Sequence, residues 1–285
     1  MKALHFLVTY RCTRSCPHCF VWGSPDGPGR MTTVQVRAYL HACLSLGIRE
    51  VHFEGGEPFL HYELLLDWIA LATSMGIRAG AVTNGFWATG EEEARSRLGT
   101  LVRAGLSSLM ISTDDYHGGD EDRRRALLAA ETARGLGLSP TTAVTNRAQV
   151  MFRGRAADTL APAETPQLAA SLTRCPHEHL DRPDRVHIDA LGHVHLCQGL
   201  TMGQAEDGKA LCELLIGYRP GAHPIVAPLL RGGPFDLATS YGLPVAAGYA
   251  DACHLCYLTR KALRTRFSAY LAPDHLYGCG NPGSM

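Results

Sequence analysis

Three cysteines in one short segment, Cys12-Thr-Arg-Ser-Cys16-Pro-His-Cys19, are the residues of this chain best suited to chemistry. The next cysteine is Cys43, in a strongly helical stretch, so no fourth thiol stands near enough to close a metal site. Zinc in a structural role takes four protein ligands, whereas a cubane iron-sulfur cluster held by three cysteines keeps one iron open to a small molecule. The loop therefore suits a metal centre with one open coordination position, with zinc or unrelated thiols as the plainer alternative.

Such a loop needs a frame, and the chain shows one as a repeat. Leu46-Gly47-Ile48, Met75-Gly76-Ile77, Ala104-Gly105-Leu106 and Leu136-Gly137-Leu138 recur at steps of about 30 residues. Each glycine follows an amphipathic stretch and precedes a β-rich one, where a helix would end on a left-handed glycine. Val36, Tyr39, Leu40, Cys43 and Leu44 share one helical face behind a capping box in Thr32-Thr33-Val34-Gln35, and Thr89-Gly90-Glu91-Glu92 reads as the box of a third helix. Strands are expected over Ala3 to Tyr10, Glu50 to Glu54, Arg78 to Thr83, Ser107 to Ser112 and Ser139 to Thr145. Alternation of this kind means βα units and a parallel sheet curled toward a barrel.

The unusual residues all follow strands. The first strand runs into the cysteine loop, the second into Glu54-Gly55-Gly56-Glu57-Pro58, the third into Thr83-Asn84-Gly85 and the fourth into Ser112-Thr113-Asp114-Asp115. Carboxyl ends of strands form the active-site face of a βα barrel. Taken alone, Gly55-Gly56-Glu57-Pro58 is a turn into a helix, and Ser112 and Asp114 are an N-cap and a solvated turn.

Together these segments resemble the radical S-adenosylmethionine (SAM) enzymes. The Cys-x3-Cys-x2-Cys spacing is theirs, and Gly55-Gly56-Glu57-Pro58 is similar to their GGEP motif. The resemblance implies a [4Fe-4S] cluster on Cys12, Cys16 and Cys19, whose open iron binds SAM through its amino and carboxylate groups. An electron from the reduced cluster then splits SAM into methionine and a 5'-deoxyadenosyl radical. It also implies that Gly55, Gly56, Glu57 and Pro58 hold the SAM amino group, with Glu57 as the carboxylate. Asn84, Ser112 and Asp114 would contact SAM, and the ring of His18 would lie against its adenine. Gly154-Arg155-Ala156 resembles the sequence that closes the barrel in many relatives, with Arg155 a cation near the SAM or substrate carboxylate, or else a surface arginine.

The barrel itself reads as truncated. Only Asn146, Arg147, Ala148 and Gln149 separate the fifth strand from Val150 to Ala156, too few to join parallel strands. The expected fold is α/β: a partial (β/α) barrel of about five to six parallel strands over residues 1–156, a linker over 157–174, and a small α+β domain over 175–285. In that last part Val186 to Cys197 alternates like a β-hairpin around Gly192, and Cys253-His254-Leu255-Cys256 opens a basic helical stretch, Tyr257 to Tyr270. Cys175, Cys197, Cys253 and Cys256 would complete a metal site. They can be read as zinc ligands. They also resemble the twitch domain, a short form of the SPASM extension, whose Gly-x4-Cys and CxxC hold one auxiliary [4Fe-4S] cluster. Of the other cysteines, Cys43 reads as core, while Cys212 and Cys279 read as incidental or, on the resemblance, as hydrogen-atom donors. His187, His193 and His195 lie on the hairpin; alternation puts His193 and His195 on one face, and exposed decoration explains them equally well.

Composition limits the alternatives. At 285 residues and 46% hydrophobic the chain can bury a full core and a smaller second one. Lys plus Arg and Asp plus Glu balance at 27 each with no basic run, which gives nucleic acid no foothold. No stretch approaches the roughly 18 apolar residues of a membrane span, and the N-terminus lacks a signal-peptide pattern, so a cytoplasmic protein is expected. Ten cysteines in a reducing compartment speak for metal over disulfides. The resemblance implies an oxidoreductase that abstracts a substrate hydrogen and passes an electron to the auxiliary cluster, with flavodoxin or ferredoxin as electron donor. Epimerisation with a cysteine donor is the alternative, and a zinc-stabilised, non-catalytic binding protein the alternative of another class. The cluster loop begins at residue 12, leaving no room before it for the recognition domain that peptide-modifying relatives often carry. A small metabolite, or a peptide brought by a partner, is therefore the expected substrate.

Overall fold

The computed structural model describes residues 1–143 and 149–279. Its strands and helices alternate at first: β1 (Ala3–Thr9), α1 (Thr33–Ser45), β2 (Glu50–Gly55), α2 (Tyr62–Ser74), β3 (Arg78–Thr83), α3 (Glu91–Ala104), β4 (Leu106–Ser112), α4 (Asp120–Gly135) and β5 (Thr141–Ala143). There follow α5 (Arg155–Thr159), β6 (Gln167–Leu168), β7 (Arg185–Asp189), β8 (His193–Cys197), β9 (Leu200–Gln204), α6 (Gly208–Gly217), α7 (Val226–Ser240), β10 (Gly248–Tyr249) and α8 (Ala252–Leu263). The repeated glycines end their helices as expected: Gly47, Gly76, Gly105 and Gly137 all have positive φ. Thr32 and Gln35 form the expected capping box of α1, but α3 starts on Gly90 with no side-chain cap, so the box read at Thr89 is absent.

Eight strands form one sheet in the order β5-β4-β3-β2-β1-β7-β8-β9. The pairs from β5 to β7 are parallel, and β7, β8 and β9 continue antiparallel. The fold is thus α/β with a mostly parallel sheet. The hairpin expected around Gly192 is present, yet it is not a separate sheet. Its first strand pairs with β1 residue by residue, Ala3 with Arg185 through Leu7 with Asp189. A sixth parallel strand therefore exists, supplied by β7 after a long crossover, and residues 150–153 form no strand. The expected end of the fifth strand, Val144 to Thr145, and the connection Asn146 to Ala148 lie outside the described residues. Among the described residues no helix is long and apolar enough to cross a membrane.

One face of the sheet is apolar. Leu4, Phe6 and Val8 of β1, Val51 and Phe53 of β2, Leu109 and Ile111 of β4 and Val186 and Ile188 of β7 are buried in the main core. Phe6 stacks on Phe53 at 5.3 Å, and Phe53 on Trp68 of α2 at 6.0 Å. Neighbouring helices α1 to α4 cover this side in order. Because side chains alternate along a strand, the opposite face carries His5, His52, Glu54, Ser112, His187, Asp189 and Cys197. A parallel sheet normally buries apolar residues on both faces, so this polar face is where a site belongs.

Candidate active site

The cysteine loop leaves β1 and is fastened from three sides. Cys12 N–H donates to Ser24 O at 2.8 Å, and Gly23 N–H to Cys19 Sγ at 3.2 Å. Gly56 and Glu57 donate backbone N–H to Thr9 O and Arg11 O at 2.7 and 2.9 Å. A Cβ on Gly56 would stand 2.1 Å from Arg11 O, so only glycine lets this segment lie against the loop. Gly154, at φ +61, performs the same service on the far side, where a Cβ would meet Phe20 Cα at 2.4 Å. Arg155 then donates from its backbone to Cys19 O at 2.9 Å and from its guanidinium to Cys16 O at 2.7 Å and Gly23 O at 2.9 Å, with its charge over the Trp22 ring. The Gly154-Arg155 pair is thus a clamp on the cysteine loop. The cation expected near a SAM carboxylate is occupied by loop carbonyls.

A cavity of about 120 Å³ opens where β1 to β4 end, lined by Cys12, Cys16 and Cys19 together with His18, Gly55, Gly56, Asn84 and Ser112. The sequence-predicted residues of four separate loops therefore meet at one place. Asn84 Nδ2 donates to Thr13 Oγ1 at 3.1 Å and lies 3.6 Å from Cys12 Sγ. His18 stacks edge-on against His117 at 4.5 Å, and burial, then His117, lower its pKa to about 4, leaving a neutral flat ring. Three residues of the motifs expected to hold SAM do not line the cavity. Pro58 begins a buried turn, and Asp114 accepts from Tyr116 N–H and lies 2.8 Å from His117 Nδ1. Glu57 is buried, and its carboxylate accepts from Asn84 N–H at 2.7 Å, Thr83 Oγ1 at 2.8 Å and Phe59 N–H at 3.1 Å. It ties the β2 loop to the β3 loop, and burial pushes its pKa up to about 7. A larger open groove of about 590 Å³ between β9 and α6 contains none of these residues.

Burial first, then Glu57, raises the Cys12 thiol to about 11, and burial with the neighbouring Cys19 raises Cys16 to about 12. These sulfurs become thiolates at neutral pH only when a cation is bound among them. Among the described residues no three cysteine sulfurs lie within 4.8 Å of one another. Zinc at about 2.3 Å from each sulfur would draw four of them to under about 4 Å apart, a tighter grouping than any three of them show.

Cys175, Cys197, Cys253 and Cys256 also converge, on a small apolar cavity reached by Arg153 and Arg260. Asp251 caps α8 by accepting from His254 N–H, which places Cys253 and Cys256 on the first turn. Arg153 Nη1 donates to Cys197 Sγ at 2.7 Å, while Arg260 Nη2 lies 3.9 Å from the same sulfur. Both arginines are almost wholly buried, and sequence reading passed over them because nothing local marks a cation that serves thiols far along the chain. Trp22 of the first loop donates to Tyr257 Oη at 3.0 Å, beside Cys256, so the two cysteine groups are mechanically linked. Cys43 is core as expected. Cys212, on α6 against Ala42 O, and Cys279, near Tyr277 O, do not line the first cavity. The hairpin histidines are not surface decoration: His187 and His195 are buried, and Asp189 gathers His193, His195 and Tyr10.

A parallel α/β sheet with three cysteines around a cavity at its carboxyl edge is the frame of a metal-cofactor enzyme. A family model described as the radical SAM superfamily matches residues 6–148, half of the chain, and the chain belongs to that superfamily. It is accordingly a radical SAM enzyme, with a [4Fe-4S] cluster and SAM as cofactors. It is 33% identical over 116 residues to a GTP 3',8-cyclase of Synechococcus elongatus, covering 40% of this chain and 34% of the relative. It is 31% identical over 146 residues to a PqqA peptide cyclase of Xanthomonas euvesicatoria, covering 46% of this chain and 37% of the relative. The chain thus spans about a third of the length of these relatives. A solved structure, native anSMEcpe with bound AdoMet and Cp18Cys peptide, is similar at 18% identity and TM-score 0.38, covering 50% of this chain and 42% of that one.

Proposed function

We propose that this radical SAM enzyme carries a second [4Fe-4S] cluster on Cys175, Cys197, Cys253 and Cys256 and oxidises or crosslinks a peptide or small metabolite at the polar face of its sheet. Held by Cys12, Cys16 and Cys19, the first cluster with bound SAM would supply radical chemistry able to take a hydrogen atom from an unactivated C–H bond. The chain's own residues position it. Gly55, Gly56, Asn84, Ser112 and His18 offer backbone and side-chain contacts for SAM, while Gly154, Arg155 and Glu57 hold the loops that present them. The observation that carries the second cluster is the pair of buried guanidinium groups beside four converging cysteines. Buried cations need anions, and thiolates around a cluster provide them; Glu178, 3.7 Å from Arg153, provides one more charge. Cys175, Cys197, Cys253 and Cys256 would hold the cluster, which would supply an acceptor for the second electron of a substrate oxidation. The resemblance to a PqqA peptide cyclase favours a peptide as substrate, with flavodoxin or ferredoxin as electron donor and the cytoplasm as location.

Iron counting tests the second cluster. Anaerobically reconstituted protein should hold about eight irons per chain, and Cys253→Ala about four, since each cubane contributes four. About four irons in the wild type, or zinc in the second site, would overturn the reading. Cys253→Ala should still release 5'-deoxyadenosine, uncoupled from product.

A further inference from the structure

The polar face holds a second group of ligand-type side chains that the SAM site does not use. His52 and His187 both stand in register with His5, so three imidazoles cross three adjacent strands in one row. Glu54 lies one pleat nearer the cavity, opposite Leu7. Its Oε1 is 3.2 Å from His5 Nδ1 and 3.0 Å from His187 Nε2, and one ligand atom from each of the three falls within 4.8 Å of the others. His52 stacks on His5 at 4.6 Å with its Nε2 taken by Glu50 at 2.8 Å, so it walls the group without joining it.

Two imidazoles and a carboxylate converging from three strands make an N2O donor set. Such a set suits divalent first-row metals, and three protein ligands leave coordination positions open. Ligands bonded at about 2.1 Å sit about 3 to 3.4 Å apart around an ion; the two nitrogens stand 3.2 and 3.0 Å from Glu54 Oε1 and within 4.8 Å of each other. The protonation states agree: burial favours neutral His187, and although burial opposes the Glu54 charge, hydrogen bonds from His187 and His5 hold its pKa below the usual carboxylate range. Without an ion, His5 Nδ1 and His187 Nε2 both turn to the same Glu54 oxygen.

We propose that His5, Glu54 and His187 bind a divalent first-row transition-metal ion at the wall of the SAM cavity, which Glu54 lines. Its open positions face the cavity and take an oxygen donor of the substrate, a carboxylate or hydroxyl, holding it beside the radical source. The site is independent of the second cysteine group.

Mn²⁺ is the probe, because hard Mn²⁺ avoids thiolates. Cluster-loaded protein in its oxidised, diamagnetic state is titrated with Mn²⁺, and free ion is read by electron paramagnetic resonance. One bound Mn²⁺ per chain, displaced by Zn²⁺ and weakened at least tenfold in His187→Gln and Glu54→Gln with iron content unchanged, is expected. No binding by the wild type, or equal binding by both variants, would overturn the proposal. Should the variants lose iron, the wild type still decides: bound Mn²⁺ must show electron spin-echo coupling to imidazole ¹⁴N, and its absence would reject the site.

Discussion

At the scale of single residues, the cysteines and the glycines of the cavity were legible because metal spacing and tight turns are local properties of sequence. Glu57 and Arg155 were legible as candidate site residues, but their ties to backbone groups of other loops were not. That engagement makes predictions. Glu57 is a buried carboxyl whose pKa is raised from 4.5 to about 7, so its charged form is disfavoured by the fold. Stability should therefore fall as pH rises from about 4.5 through 7, because ionisation is easier in the unfolded chain. Glu57→Gln should flatten that slope in anaerobic urea denaturation at a series of pH values. Arg155→Met should leave the fold intact but free the carbonyls of Cys16 and Gly23. Faster loss of iron from the first cluster to a chelator is the outcome to look for, and an unchanged rate would show the clamp to be dispensable.

Among elements, the βα repeat was readable from its glycines and its periodicity, and the hairpin from its alternation. Register was not readable. Nothing in the sequence of β7 announces that it pairs with β1, and this pairing brings His187 to His5 and Glu54, and Asp189 to Tyr10. The histidines looked like surface decoration because a hairpin considered alone has an exposed face. Gly154 joins two elements, the entry of α5 and the cysteine loop. Gly154→Ala places a Cβ against Phe20 Cα at a positive φ and should cost about 1–3 kcal/mol with loss of iron, measured as a lowered denaturation midpoint and iron content.

For the whole molecule, the parallel sheet continues through β1 and β7 into β8, which carries Cys197 of the second cysteine group. Phe53, buried between Phe6 and Trp68, sits at the centre of the shared core, and Phe53→Ala should cost about 3–5 kcal/mol. Continuity predicts that secondary structure and the iron chromophore are lost in one denaturant transition, and that this variant shifts them together. Two separated transitions would mean that the parts melt independently.

Radical chemistry on this fold requires that the three cysteines of the first loop leave one iron open to SAM. The direct test is release of 5'-deoxyadenosine from SAM by anaerobically reconstituted, dithionite-reduced protein, compared with Cys16→Ala. Release by the wild type and none by the variant is the predicted result. No release from a wild type whose cluster is intact and reduced, or equal release from the variant, would contradict it.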